Sequence, residues 1–352
     1  AAGWNVISID GHDHTQIRDA LQQAQNSDKP ILIDCKTTIA YGSPNKSGSE
    51  KSHGSPLGDD EIKLTKKELG WNYNEFEISD EILEKWREIG SRNIDLYQKW
   101  QENLKNSSKK NEFNSSYNKI LPDLSEKIAN FKQEILAEKK SQATRKSSAK
   151  ILEFFTKEID ILISGSADLT GSVGTKTSST KSLSPSNYTN RYIHYGIREH
   201  AMAAMMNGMS LYGGIIPLSG TFLIFSDYMK PAIRLAAMMK RQIFYIFTHD
   251  SIGLGEDGPT HQAVEHLANL RSIPNLNVFR PCDDFETLAC YQMALKDINT
   301  PSAFSLTRQD LEFSTNSENS DIYKGGYVIY KNDKDPDVSI LATGSEVEIA
   351  IN

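Results

Sequence analysis

The sequence predicts an α/β protein built on parallel sheets. Short apolar runs rich in β-branched residues recur along the chain, each followed by a stretch with helical spacing, which is the rhythm of βα units. With 352 residues, 38% of them hydrophobic, the chain is long enough for at least two domains with separate cores. Ionisable residues directly follow several of the apolar runs, at the strand ends where open parallel sheets collect ligands.

The opening reads as strand (AAGWNVISID), helix (HTQIRDALQQAQ) and strand (PILIDCKT). A loop rich in Gly, Ser and Pro runs from Tyr41 to Leu57. A long polar helical region from about Ser79 to Lys140 follows, and within it KNSSKKNEFNSS is the best linker candidate. From Thr144 the alternation resumes: TRKSSAKILEFFTKEI as helix, IDILISGSAD as strand and REHAMAAMMNGMSLYG as helix. Then come PLSGTFLIFSDYMKPAIRLAAMMK, the strand QIFYIFTHD, the helix HQAVEHLANL, NLNVFRPC, DFETLACYQMALK and SAFSLTR. Finally GGYVIYKNDKDPDVSILATGSEVEIAIN starts a further strand and a βα turn. Because the chain enters a strand pattern at once and stops inside an unfinished unit, both ends are expected to be cut within domains.

The balance of 39 basic and 46 acidic residues, net charge -7, argues against general attraction to nucleic acid or an anionic membrane, so any phosphate must be met locally. Cys35, Cys282 and Cys290 have no zinc-type spacing and read as ordinary thiols of a reducing compartment. No run approaches the roughly 18–20 apolar residues that span a bilayer, and no signal segment opens the chain. A cytoplasmic protein is expected.

Four strand ends deliver ionisable groups to one sheet edge: Asp168, then Arg198 with Glu199, then His249 with Asp250, then Arg308. Each alone reads as a cap or surface ion pair; together they suit a charged small molecule. The segment SIGLGEDGPTHQ is too polar and Gly-rich for a buried element and forms an exposed loop carrying Glu256, Asp257 and His261, the last also readable as a first-turn side chain of the following helix. Phe222, Phe225 and Tyr228 fall at i, i+3 and i+6, one stripe if helical, for which core packing is the plainer reading. AMAAMMNGM reads as a closely packed buried helix. His53 lies in a glycine-bearing loop. His12 and His14 lack a third metal ligand and belong to a helix-start loop.

The words GSPNKSGSEKSHGSPLGDDEI, GSADLT, YIHYGIREH, TFLIFSDY, THDSIGLGEDGPTHQ, RPCD and LTRQ together resemble transketolases along nearly the whole chain, in order and separation. The resemblance implies residues 1–112 as the C-terminal part of a diphosphate-binding domain plus linker, 113–324 as a pyrimidine-binding domain and 325–352 as the start of a third α/β domain. It implies thiamine diphosphate as cofactor with Mg2+ (or Ca2+ or Mn2+), the metal ligands being expected upstream because no GDG-plus-Asn motif is present. Glu199 matches the glutamate that hydrogen-bonds N1′ of the cofactor's aminopyrimidine, favouring the imino tautomer that takes the proton from the thiazolium C2. Phe222, Phe225 and Tyr228 then resemble the aromatic wall around that ring, and Asp168 is counted with the cofactor-binding set.

His53 resembles a histidine near the diphosphate and the reacting end of the substrate. Asp257 and His261 match residues on the donor's first hydroxyls, and Arg145, Ser172, His249 and Arg308 match those holding the sugar phosphate. The catalytic set implied is Glu199, His53 and His261. The family's reaction transfers a two-carbon ketol unit from xylulose 5-phosphate to ribose 5-phosphate in the pentose phosphate pathway, in a homodimer with the active site at the subunit interface. Two departures stand out: TGSVGTKTSSTKS around Ser172 differs from the family pattern, and His200 stands where an aromatic often follows the glutamate. Dihydroxyacetone synthase, deoxyxylulose-phosphate synthase and a non-catalytic binding module are the competing readings. The retained loops favour transketolase over deoxyxylulose-phosphate synthase, the intact set Glu199, His249, Asp257, His261 and Arg308 argues against a non-catalytic module, and product analysis separates the three enzymes.

Overall fold

Asp13 opens the first helix by accepting hydrogen bonds from the backbone N–H groups of Thr15 and Gln16, capping it where the apolar run gives way to helical spacing. In the computed structural model, which describes residues 3–315, 320–331 and 336–352, this helix, α1 (His14–Gln25), joins the parallel strands β1 (Asn5–Asp10) and β2 (Ile31–Lys36). The chain divides into two compact units, Ala1–Glu102 and Asn103–Asn352.

In the first unit the Gly/Ser/Pro loop is ordered by Glu61 of α2 (Asp59–Glu68). Its buried carboxylate accepts hydrogen bonds from the Ser43 hydroxyl, the Asn45 backbone N–H at 2.8 Å and the Asn45 side-chain amide at 2.9 Å. These bonds, that of Ser43 foremost, hold the carboxyl below the usual carboxylate range. The polar helical region comprises α3 (Asp80–Ser91), α4 (Ile94–Asn106), α5 (Lys110–Tyr117) and α6 (Ser125–Glu138), the last two within the second unit. Most of α5 falls inside the expected linker. Lys119 and Lys139, with φ of 54° and 39°, take the left-handed conformation that ends a helix just past α5 and α6.

The second unit is a six-stranded, wholly parallel sheet of order β4-β3-β5-β6-β8-β7. The strands of this sheet and the helices between them are, in chain order, α7 (Thr144–Glu158), β3 (Leu162–Ser166), α8 (Thr170–Val173), β4 (Tyr192–His194), α9 (Glu199–Tyr212), β5 (Ile216–Phe222), α10 (Ser226–Met238), β6 (Phe244–Thr248), α11 (His266–Arg271), β7 (Asn277–Phe279), α12 (Asp284–Lys296) and β8 (Ser302–Leu306). Alternation along β6 builds a core on each face. Phe244 and Ile246 pack with Ile151 and Phe155 of α7 and Tyr291 of α12, while Tyr245 and Phe247 pack with Met202 and Met206 of α9 and Ile233 of α10. Met202, Ala203 and Met206 bury one face of α9, whereas Met205 on the other is half exposed, so AMAAMMNGM is amphipathic rather than buried all round.

Three expectations are corrected. The helix expected from His261 onward begins only at His266, because residues 256–264 turn through the glycine- and proline-bearing loop. Phe222, Phe225 and Tyr228 do not share one helix: they occupy the end of β5, a 3-10 turn (Leu223–Phe225) and α10. The strand expected after Gly326 lies partly outside the described residues (332–335), and the rest forms none. Val338, Ile340 and Leu341 stay exposed with no strand beside them among the described residues, and only the helix of the βα turn, α13 (Glu346–Ile351), is present.

Gly165 permits the close approach of β3 and β4: a Cβ there would stand 2.7 Å from the Ile193 carbonyl oxygen and 2.5 Å from the Tyr195 ring. Gly165→Ala in the natural full-length protein is expected to cost about 1–3 kcal/mol, read as a lower urea midpoint. An unchanged midpoint would show that β4 moves aside freely.

Candidate active site

Because every strand of the larger sheet runs the same way, residues that follow β3, β4, β6 and β8 emerge at one edge. Two of them are held in left-handed backbone conformations that only glycine adopts readily: Asp168 with φ 61° and His249 with φ 59°. Such a conformation costs of order 1–3 kcal/mol, which is tolerated where the side chain must be aimed.

Phe222 organises the aromatic part of this edge. Its ring stacks on His249 at 3.7 Å and on Phe225 at 6.0 Å, and Phe225 stacks in turn on Tyr228 at 6.1 Å. His261 meets both phenylalanines edge-on, at 6.0 Å from Phe222 and 5.4 Å from Phe225. The ladder runs from buried Phe222, 6% exposed, to Tyr228, 63% exposed, so it is a wall with a wet end rather than core packing. Each histidine is braced by the threonine before it: Thr248 Oγ1 lies 2.9 Å from His249 Nδ1, and Thr260 Oγ1 lies 2.9 Å from His261 Nδ1.

The charged part is assembled by α7. Its buried Thr144 and Thr307 at the end of β8 exchange backbone-to-hydroxyl hydrogen bonds of 3.0 and 2.8 Å, and the Arg145 N–H donates to the Thr307 carbonyl at 3.4 Å. Arg145 is thereby brought into the field of Arg308. Burial and then the Arg308 charge lower its pKa, partly opposed by Asp310. One Arg145 Nη donates to the Ser172 carbonyl at 3.0 Å, while its Nε is buried without a hydrogen-bond partner. Arg308 pairs with the exposed carboxylate of Glu256, a contact of small worth at a surface.

Not every strand-end group is open to a ligand. Asp250 has a fully buried side chain committed to Arg280 at 2.8 Å, and Arg280 also donates to the Thr343 carbonyl and the Ser345 hydroxyl and pairs with Glu346. Arg198 turns back onto the Tyr195 carbonyl at 2.9 Å. Glu199, the first residue of α9, is buried, and Asp168 and Asp257 are exposed. His200 is exposed on the first turn of α9.

In the first unit, exposed His53 follows a 3-10 turn (Glu50–Ser52). His12, in the helix-start loop, stands just beyond the end of β1. Its ring stacks on Tyr41 at 3.9 Å and its Nε2 accepts from the Thr38 N–H at 2.8 Å. It lines a cavity with Asp10, Asp34 and Lys36. The signal available was DGH immediately after the apolar run NVISI.

A family model described as the transketolase thiamine diphosphate binding domain matches residues 1–122, and one described as the transketolase pyrimidine binding domain matches residues 140–314. Fold and matches together define a protein of thiamine-diphosphate-binding domains. Transketolases of Sinorhizobium medicae and Rhodobacter capsulatus are 45% and 46% identical over the whole of this chain, which covers 51% and 53% of them. A structure of Pichia stipitis transketolase in complex with sedoheptulose 7-phosphate superimposes with a TM-score of 0.86 at 37% identity, covering 99% of this chain and 53% of that one. The chain belongs to the transketolase family, and spans about half the length of the curated relatives it matches.

Burial, followed by the charge of Arg145, depresses the His249 pKa to about 4; Asp257 opposes this shift, and Arg308 and His261 add to it. An unfolded histidine titrates near 6.5, so between about pH 6.5 and 4 only the unfolded chain takes the proton. The stability contributed by neutral His249 is complete above that window and lost as pH falls through it. A histidine NMR titration, with His249→Asn identifying the resonance, is expected to give a midpoint near 4, and an ordinary midpoint near 6.5 would contradict the arrangement.

Proposed function

We propose that the protein to which this chain belongs is a transketolase. It moves a two-carbon ketol unit from a ketose phosphate such as xylulose 5-phosphate to an aldose phosphate such as ribose 5-phosphate. The observation that carries this reading is the joining of an aromatic ladder to a cationic corner through one side chain, Phe222, stacked on both Phe225 and His249. A flat heteroaromatic ring and a phosphate then have adjoining places.

The residues present fit thiamine diphosphate. The ladder Phe222, Phe225 and Tyr228 ends in an exposed ring available to an aminopyrimidine. Buried Glu199 holds a carboxyl where a hydrogen bond to the ring nitrogen is strengthened by low dielectric, with Asp168 beside the same edge. When bound, thiamine diphosphate supplies the nucleophilic carbon and the electron sink for carbon–carbon cleavage. A divalent metal, Mg2+ in the first instance, is part of the proposal and is held by segments outside this sequence.

Arg145, Arg308, Ser172 and neutral His249 receive the sugar phosphate. The unpartnered Nε of Arg145 and its like-charged neighbour Arg308 both favour a dianion, which displaces Glu256 from Arg308. Bracing at Nδ1 reserves Nε2 of His261 for a substrate hydroxyl, where it holds or moves a proton. Asp257 accepts from a neighbouring hydroxyl, and His53 serves the reacting end from the diphosphate side. The proposal includes a homodimer with the active site at the subunit interface, supported by exposed apolar Ile197 and Tyr228 beside the site, and a cytoplasmic place in the pentose phosphate pathway.

Transfer from xylulose 5-phosphate to ribose 5-phosphate by the full-length protein is expected to require thiamine diphosphate and Mg2+. Glu199→Gln should lower kcat by about 100-fold or more. Arg308→Leu should raise KM about 10-fold or more with a smaller effect on kcat. Cofactor-independent transfer, or equal effects of both variants on KM alone, would contradict the assignment.

A further inference from the structure

His266 opens α11 with its side chain 2% exposed, yet neither ring nitrogen has a hydrogen-bond partner. Burying both without satisfying either is unfavourable, so this imidazole calls for a partner that no hydrogen bond provides. Two carboxylates face it from different elements. Asp227, on the first turn of α10, brings an oxygen to 3.2 Å from Nε2, and Glu265, immediately before α11, brings one to 3.9 Å from Nδ1. Among the described residues this is the one group of three His, Cys, Asp or Glu side chains that can offer a ligand atom each, all within 4.8 Å of one another.

We infer that Asp227, Glu265 and His266 form a site for a borderline divalent cation of the Zn2+ type. The donor set is one imidazole nitrogen and two carboxylates, which suits Zn2+, Co2+ or Ni2+ better than the all-oxygen preference of Mg2+ or Ca2+. Two negative charges balance the ion. Nε2 and Asp227 are nearly in place. The more exposed Glu265 side chain closes last, since bond lengths of about 2.0–2.2 Å bring ligand atoms to roughly 3.3 Å from one another. The half-exposed carboxylates leave room for water to complete the coordination. This site does not depend on the activity proposed above.

An ion here would clip two parts of the active edge together. Asp227 lies between Phe225 and Tyr228 of the ladder, and Glu265 ends the loop that carries Asp257 and His261. The same two helices already meet through Lys230 and Asn269 at 3.5 Å, so the clip would stiffen an existing contact.

The test is Co2+ binding to chelator-stripped full-length protein without thiamine diphosphate, by equilibrium dialysis and by the visible absorption of the bound ion, with Zn2+ as competitor. One equivalent of Co2+ per chain is expected in the wild type, displaced by Zn2+ and lost in both His266→Gln and Asp227→Asn. The second variant alters an exposed carboxylate and keeps the test valid if the first misfolds. Equal stoichiometry in wild type and Asp227→Asn, or no Co2+ bound by either, would overturn the site.

Discussion

Thr144 and Thr307 bond to each other's backbone N–H groups through their hydroxyls, both side chains fully buried, and this exchange fixes where α7 meets the end of β8. Asp310 strengthens the same junction by accepting from the Ala143 N–H at 2.9 Å and pairing with Lys146. Arg145 and Arg308 each stand one residue beyond a clasped threonine. Two like charges are thereby held together at the sheet edge, at a free-energy cost that an anion relieves. The rest of the site adjoins that cationic corner: burial first and then the Arg145 charge keep His249 neutral, Phe222 stacks on His249, and the aromatic ladder extends from Phe222.

A chain with net charge -7 has no long-range attraction for a phosphate, so recognition rests on local geometry. Burial makes each donor count for more because the effective dielectric is low. It also disfavours an imidazolium: a charged His249 beside Arg145 would add repulsion without solvent to screen it. The left-handed backbone at His249 and the Asp250–Arg280 pair behind it act in the same direction, aiming the ring while anchoring the turn.

Much of this was legible before any coordinates. The apolar runs QIFYIFT and SAFSL marked buried parallel strands, and the polar residues after them marked the sheet edge where ligands are expected. Phe222, Phe225 and Tyr228 stack in one ladder, though not through helical spacing: strand end, 3-10 turn and helix present the three rings in sequence. The Thr144–Thr307 exchange was not legible, because it joins residues 163 positions apart and threonine has no pattern that announces such a partner. The packing of His12 was not legible either, because its partners Thr38 and Tyr41 lie 26 or more residues away in sequence. In the last segment β-branched residues suggested a strand, but β-propensity needs a neighbouring strand to be realised.

The central claim is that the carboxyl edge of the six-stranded sheet holds an aminopyrimidine between the aromatic ladder and Glu199. A crystal structure of the full-length protein with thiamine diphosphate tests it most directly. A pyrimidine ring packed against the Phe222–Phe225–Tyr228 ladder, with the Glu199 carboxyl within hydrogen-bond distance of its N1′, is the predicted result. A pyrimidine bound away from the ladder, or Glu199 turned from the ring, would contradict it.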